Sequence, residues 1–138
     1  MTTFLADKSA LTRRESRPEV RAVLEPLLIA GEIASCGIID LEVLYSARDR
    51  ATYRATAEAL RGMPRVAVND ACVERALEVQ GMLAERSQHR AVPLPDLLVA
   101  ACAEDAGLTV LHYDADFDRI AKLTGQRVQW IVPRASVS

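Results

Sequence analysis

The sequence is short of everything that staples a fold, binds a soft metal or crosses a membrane. Its 138 residues hold three cysteines, Cys36, Cys72 and Cys102. They are widely separated, odd in number and without a CxxC pair, so they define no disulfide framework. They read as reduced, mostly buried thiols of a cytoplasmic protein. Only two histidines occur, His89 and His112, and no Cys/His spacing suits zinc. No apolar run approaches the ~18 residues of a membrane helix. Met1 to Asp7 has no basic region followed by an apolar stretch, so no signal peptide is expected. Lysine is scarce as well: of 17 basic residues only Lys8 and Lys122 are Lys, the rest Arg. Arg is the better phosphate fork, but the net charge of −2 departs from the basic balance usual in nucleic-acid binders.

What is present is ordinary globular composition, 50% hydrophobic and 26% charged, and enough chain for one domain with a real core. No repeat or linker is visible. The domain is expected to span 1–133, with a frayed tail over 134–138. Phe4-Leu5-Ala6 reads as a first strand. Pro18 opens a helix with a stripe of Val20, Val23, Leu24, Leu27 and Leu28, kinked or split at Pro26 and stopped by Gly31. Residues 33–38 suggest a short strand. Asp40 is expected to cap a helix presenting Leu41, Leu44 and Tyr45, with helical pattern continuing to Leu60. Val66-Ala67-Val68 reads as a strand, and Asn69-Asp70 as the cap of a helix containing Val73, Ala76, Leu77 and Leu83. Pro95 to Ala106 is an apolar helix closed by Gly107. Leu108 to His112 is a strand buried on both faces, Asp114 to Leu123 a helix, and Val128 to Val132 a last strand. This alternation implies an α/β fold with a parallel sheet.

Ligands of open parallel sheets sit beyond the carboxyl ends of the strands. Asp7 follows the first strand, and Asp114 and Asp116 follow the Leu108–His112 strand. Asp96 and Glu42 are placed in the first turns of two helices, where the positive helix end favours a carboxylate. Taken singly, each acid is more simply a cap, turn or solvated residue. Together they can converge. Clustered carboxylates repel unless protonated or compensated, and a hard divalent cation such as Mg²⁺ or Mn²⁺ is the natural compensation. A carboxylate-held metal suits phosphodiester hydrolysis.

Four short segments, in this order, resemble the PIN domain and within it the VapC toxins: Asp7-Lys8-Ser9-Ala10; Leu41-Glu42-Val43-Leu44-Tyr45-Ser46-Ala47-Arg48; Pro93-Leu94-Pro95-Asp96-Leu97-Leu98-Val99-Ala100-Ala101; and Leu111-His112-Tyr113-Asp114-Ala115-Asp116-Phe117. The likeness covers nearly the whole chain. It implies a three-layer α/β/α sandwich with a central parallel sheet. It implies an Mg²⁺- or Mn²⁺-dependent endoribonuclease acting on tRNA, rRNA or mRNA, neutralised by a VapB-type antitoxin, with a toxin homodimer in the complex. By position the catalytic set is Asp7, Glu42, Asp96, Asp114 and Asp116. Asp7, Asp96, Asp114 and Asp116 are the metal ligands, with the nearer of Asp114 and Asp116 left open. Ser9 is expected to hold a ligand carboxylate through its hydroxyl. His112 replaces the Thr or Ser frequent in the fourth motif and is read as a buried strand-end histidine.

Arg13, Arg14 and Arg48 are candidate RNA contacts. The Val20–Leu28 stripe and the face with Leu44 and Tyr45 are candidate antitoxin surfaces, though core packing explains both equally well. A haloacid-dehalogenase-type phosphatase would need an Asp where Ser9 stands, and a receiver domain a late Lys that Lys122, mid-helix, does not supply. The alternative from another class is a catalytically silent PIN-like module that binds RNA or protein without cutting.

Overall fold

Four short parallel strands make a sheet in the order β2-β1-β3-β4. They are β1 (Phe4–Ala6), β2 (Ile33–Ala34), β3 (Thr109–His112) and β4 (Val128–Trp130). The computed structural model describes residues 1–138. Around the sheet lie α1 (Lys8–Leu11), α2 (Pro18–Ile29), α3 (Gly37–Tyr45), α4 (Arg50–Arg61), α5 (Asp70–Ala84), α6 (Leu94–Ala106) and α7 (Asp116–Thr124).

The side-chain period of two divides the core. Leu5 and Val110, paired across β1 and β3, join Ile39, Leu83, Val99, Phe117 and Ile120 from α3, α5, α6 and α7 in one cluster. Their neighbours Ala6 and Leu111, also paired, point the other way and pack with Val20 and Leu24 of α2. Helices therefore cover both faces, and the fold is the expected three-layer α/β/α sandwich with a central parallel sheet. Cys36, Cys72 and Cys102 are buried and free. No helix is long and apolar enough to cross a membrane.

Several local expectations are corrected. Val66-Ala67-Val68 is not a strand. A single parallel bridge joins Ser35 to Arg65, with Val66 N–H donating to Ser35 O at 2.9 Å. Beside a two-residue β2 there is no ladder to extend, and Asn69 Oδ1 accepts Cys72 N–H at 3.0 Å to start α5. α2 runs unbroken through Pro26, with both of its buried residues, Val20 and Leu24, on the sheet side. α3 starts at Gly37 behind Cys36, so Asp40 is not its cap. Asp40 instead accepts Ser35 Oγ–H at 2.7 Å and pairs with Arg65. The C-terminal residues, expected to fray, touch the body: Tyr113 Oη donates to Val137 O at 2.6 Å and Arg13 Nε to Ser138 O at 3.1 Å.

One glycine aims the chain at the site. Gly107 ends α6 at φ +70°, a conformation that costs a side chain strain. Leu108 N–H then reaches back to Ala103 O at 2.9 Å, and the chain enters β3, whose far end carries the acids.

Candidate active site

The carboxyl ends of β1 and β3 lie side by side, because Ala6 pairs with Leu111 and Asp7 N–H donates to Leu111 O at 2.9 Å. Asp7 leaves the sheet there and caps α1, its Oδ2 accepting Ser9 N–H at 3.0 Å. It is fully buried. Asp96, in the first turn of α6, is 3% exposed. Glu42 reaches the same place from α3, but from its second turn rather than the expected first, since the helix begins at Gly37. The dipole argument therefore applies to Asp96 and not to Glu42.

The acids form two overlapping triads that share Asp96. Ligating oxygens of Asp7, Glu42 and Asp96 lie within 4.8 Å of one another, as do those of Asp96, Asp114 and Asp116. All five carboxylates expected from the sequence are thus brought to one place. Asp7 Oδ1, Asp96 Oδ2 and Glu42 Oε1 are buried and accept no hydrogen bond. A buried carboxylate oxygen without a partner is costly, and three in one cluster fit a hard cation with oxygen ligands.

The electrostatics agree. Asp96 is pushed up to about 8, first by burial and then by the charges of Asp7 and Asp114, a hydrogen bond shared with Asp114, and the charge of Asp116. Burial also raises Asp7, against the pull of its bonds from Ser9 and with the help of Glu42 and Asp114. Asp116 is raised by burial and Asp114. Asp114 and Asp116 both raise Asp96, and both stand with it in the second triad.

Ser9 supports Asp7 twice, through its backbone N–H at 3.0 Å and through a side-chain hydrogen bond, while its hydroxyl oxygen also accepts Tyr113 N–H at 2.9 Å and ties α1 to the end of β3. His112 is fully buried between the rings of Phe117 and Trp130, at 5.1 and 4.9 Å. Its Nδ1 accepts Asp114 N–H at 3.1 Å, and burial lowers it to about 4. It is a neutral support for the loop, protonated at Nε2 and not at Nδ1.

Of the candidate RNA contacts, Arg13 stacks on Tyr113 at 4.6 Å and donates to Ser9 O at 2.7 Å, beside the cluster. Arg14 is turned to Glu25 at 2.6 Å. Arg48 is exposed beyond the end of α3. Among the apolar candidates, Val20 and Leu24 are core, Leu27 and Leu28 are partly buried and Val23 is exposed; on α3 Leu44 is half-buried, whereas Leu41 and Tyr45 are 69% and 94% exposed one turn apart. Sequence reading missed two residues. Lys8 places Nζ 3.1 Å from Glu42 Oε2, although it stands inside the first motif. Asp118 accepts Trp130 Nε1–H at 3.0 Å and lies 4.0 Å from His112 Nε2.

A parallel α/β/α sandwich with a buried, under-satisfied carboxylate cluster at its strand ends defines a class of α/β domains whose site can hold a divalent cation. The PIN domain family model matches residues 5–123. The chain is 48% identical over 134 residues to Ribonuclease VapC51 of Mycobacterium tuberculosis, covering 97% of this chain and 96% of that one. The fold matches VapBC2 from Rickettsia felis, bound to a DNA fragment from its promoter, with a TM-score of 0.76 at 15% identity over 94% of this chain and 98% of that one. It also matches VapBC-5, from a family of toxin–antitoxin systems in Mycobacterium tuberculosis, with a TM-score of 0.66 at 25% identity over 96% and 100% of the chains. The chain belongs to the PIN-domain family, in its VapC group.

Proposed function

We propose that the chain is an Mg²⁺- or Mn²⁺-dependent endoribonuclease, the toxin of a toxin–antitoxin pair, cutting tRNA, rRNA or mRNA in the cytoplasm. The observation that carries this reading is the set of buried, unpartnered oxygens on Asp7, Glu42 and Asp96. The name of the VapC51 relative, a ribonuclease, supports the substrate.

Asp7, Asp96, Asp114 and Asp116 would hold the ion. When bound, it supplies Lewis-acid stabilisation of charge on a phosphate and acidifies water. Glu42 Oε1, free and buried, is placed to accept a hydrogen bond from the attacking water and orient it. Ser9 and His112 keep Asp7 and Asp114 in position through backbone N–H groups. Arg13, flat on Tyr113, offers its guanidinium beside the cluster for an RNA phosphate.

For the antitoxin, a VapB-type partner as in VapBC-5, the exposed pair Leu41 and Tyr45 flanks Glu42 on α3 and would receive an apolar segment. The assembled toxin is a homodimer in this reading.

The test is cleavage of total RNA by the purified protein, free of antitoxin, in Mg²⁺ and in EDTA, with Asp96→Asn alongside. Discrete fragments that disappear in EDTA and in Asp96→Asn are the expected result. A folded, metal-supplied protein that leaves RNA intact would favour the silent binding module.

A further inference from the structure

The acidic cluster carries a cation of its own. Lys8 follows Asp7 directly, and its backbone is fixed from both sides: Asp7 N–H is bonded to Leu111 O at 2.9 Å and Thr12 N–H to Lys8 O at 2.8 Å. From that anchor the side chain reaches Glu42 Oε2 at 3.1 Å. The Glu42 side chain is 14% exposed and that of Lys8 46%, so the ammonium sits at the mouth of the cluster with the carboxylate beneath it. Asp7 and Asp96 add to the attraction that Glu42 exerts on it.

The two carboxylate triads differ in this respect. Asp7–Glu42–Asp96 has Lys8 on its Glu42 edge. Asp96–Asp114–Asp116 has no Lys or Arg nitrogen within ion-pair distance: the arginines that pair elsewhere are Arg14, Arg65 and Arg75, and Arg119 acts on Asp116 only from farther away. An ion entering the first triad must share Glu42 with an ammonium one hydrogen bond away, and like charges at such range repel strongly where water is scarce. An ion on the Asp114 side of Asp96 meets no such neighbour, and Asp7 Oδ1, buried and unpartnered, is left for it.

We propose that Lys8 is the resident cation at Glu42 and limits the protein to one divalent ion, held at Asp96 by Asp7, Asp114 and Asp116 and not by Glu42. The inference rests on the reading of the cluster as a metal site and gives it a stoichiometry. Lys8 is a positioning residue: it fixes Glu42 Oε2 and leaves Oε1 free for water, in place of a second metal ion.

The experiment counts ions without reference to activity. Metal-free protein is titrated with Mn²⁺, and free Mn²⁺ is followed by its electron paramagnetic resonance signal. The wild type should saturate at one ion per chain and Lys8→Arg at one. Lys8→Met, and Lys8→Gln as a second neutral replacement, should saturate at two. The double variant Lys8→Met with Glu42→Gln should return to one, because the opened triad has lost a ligand. Two ions on the wild type, or one on both neutral variants, overturns the proposal while the metal site stands. No Mn²⁺ on any of these proteins overturns the metal reading and the proposal together. Lys8 is half-exposed, so circular dichroism is expected to show all variants folded.

Discussion

His112 Nδ1 accepts the backbone N–H of Asp114 at 3.1 Å, and so a ring buried in the core sets the conformation of the loop that carries two of the five acids. The loop closes on itself one step later, where Asp114 Oδ1 accepts Asp116 N–H at 2.9 Å. Replacing His112 by Ala leaves the Asp114 N–H without its acceptor and opens a cavity between Phe117 and Trp130. The expected cost is about 1–3 kcal/mol for the unsatisfied donor, plus a cavity term. Mn²⁺ affinity should fall about 10- to 100-fold, as for other residues that orient metal ligands. Urea denaturation and Mn²⁺ titration of the same variant check the two effects. A stability loss with unchanged Mn²⁺ affinity would reduce His112 to a packing residue.

Asp96 makes the metal-free protein sensitive to pH. Its carboxyl is raised to about 8, so the folded state holds a proton that the unfolded state releases near 4. Stability from this source is complete below the unfolded value and is lost as pH rises through the folded one. In EDTA the melting temperature should therefore fall from pH 6.5 to pH 9. Mg²⁺ should reverse the slope, because a cation replaces the proton, and Asp96→Asn should flatten it. Melting curves in EDTA and in Mg²⁺ across that range check this. A wild-type slope in EDTA that is flat or rising would mean that the carboxylates are compensated by some other group.

Below pH 6.5 a second group acts in the opposite sense. His112 is lowered to about 4, so it contributes stability present above its unfolded value near 6.5 and lost as pH falls through the folded one. Between about pH 4 and 6.5 the rise from His112 opposes the fall from Asp96, so the metal-free wild type should be nearly flat there and lose stability above it. His112→Gln should unmask the Asp96 fall below pH 6.5 while leaving the loss at higher pH in place. Chemical denaturation at intervals between pH 4 and pH 9 tests both windows. An unchanged profile below pH 6.5 would show that other groups set the pH dependence there.

The proposed antitoxin surface can be tested apart from the proposed cutting site. Tyr45 and Leu41 are exposed on α3 and take no part in the core, so Tyr45→Asp or Leu41→Asp should leave folding and RNA cleavage intact. Co-purification with the antitoxin encoded beside the gene should weaken, since a buried charge opposite an apolar segment lacks a partner. Equal capture of wild type and both variants would move the contact elsewhere on the toxin.

How far the fold was legible follows from where its information sits. β1 and β3 are apolar runs ending in acids, and α6 is closed by Gly107, so local signals suffice. Val66-Ala67-Val68 has the same composition as a strand but finds only Ser35, just past a two-residue β2, to bond with, which is a property of its neighbour. α1 is four residues long and exists because Asp7 caps it and Ser9 bonds Tyr113, so no periodicity could announce it. The acids were legible as a set through the four motifs, because each ends a strand or stands near a helix start. Their supports were less so: Lys8 finds Glu42 on another helix, His112 finds its acceptor role only once the loop folds, and Ser9 adds its backbone N–H to the hydroxyl bond that the first motif suggests.

The chemistry of the cut ends follows from which groups can move protons. Attack by the RNA's own 2′-hydroxyl leaves a 2′,3′-cyclic phosphate and calls for a side chain that takes and gives protons near neutral pH. His112 is sealed from solvent and lowered to about 4, which removes it from that role. In the proposed mechanism Glu42 Oε1, buried and unpartnered, takes a water molecule instead. Hydrolysis by water in line with the leaving oxygen breaks the P–O3′ bond, and the fragments carry a 5′-phosphate and a 3′-hydroxyl. Purified cleavage fragments should therefore be accepted by a ligase that requires a 5′-phosphate, and phosphatase treatment should be unnecessary for extension from their 3′ ends. Glu42→Gln should slow the reaction and leave the end chemistry unchanged, because orientation of the water is lost but not its identity as nucleophile. Fragments ending in cyclic phosphate would require a different nucleophile and would remove Glu42 from the role assigned to it.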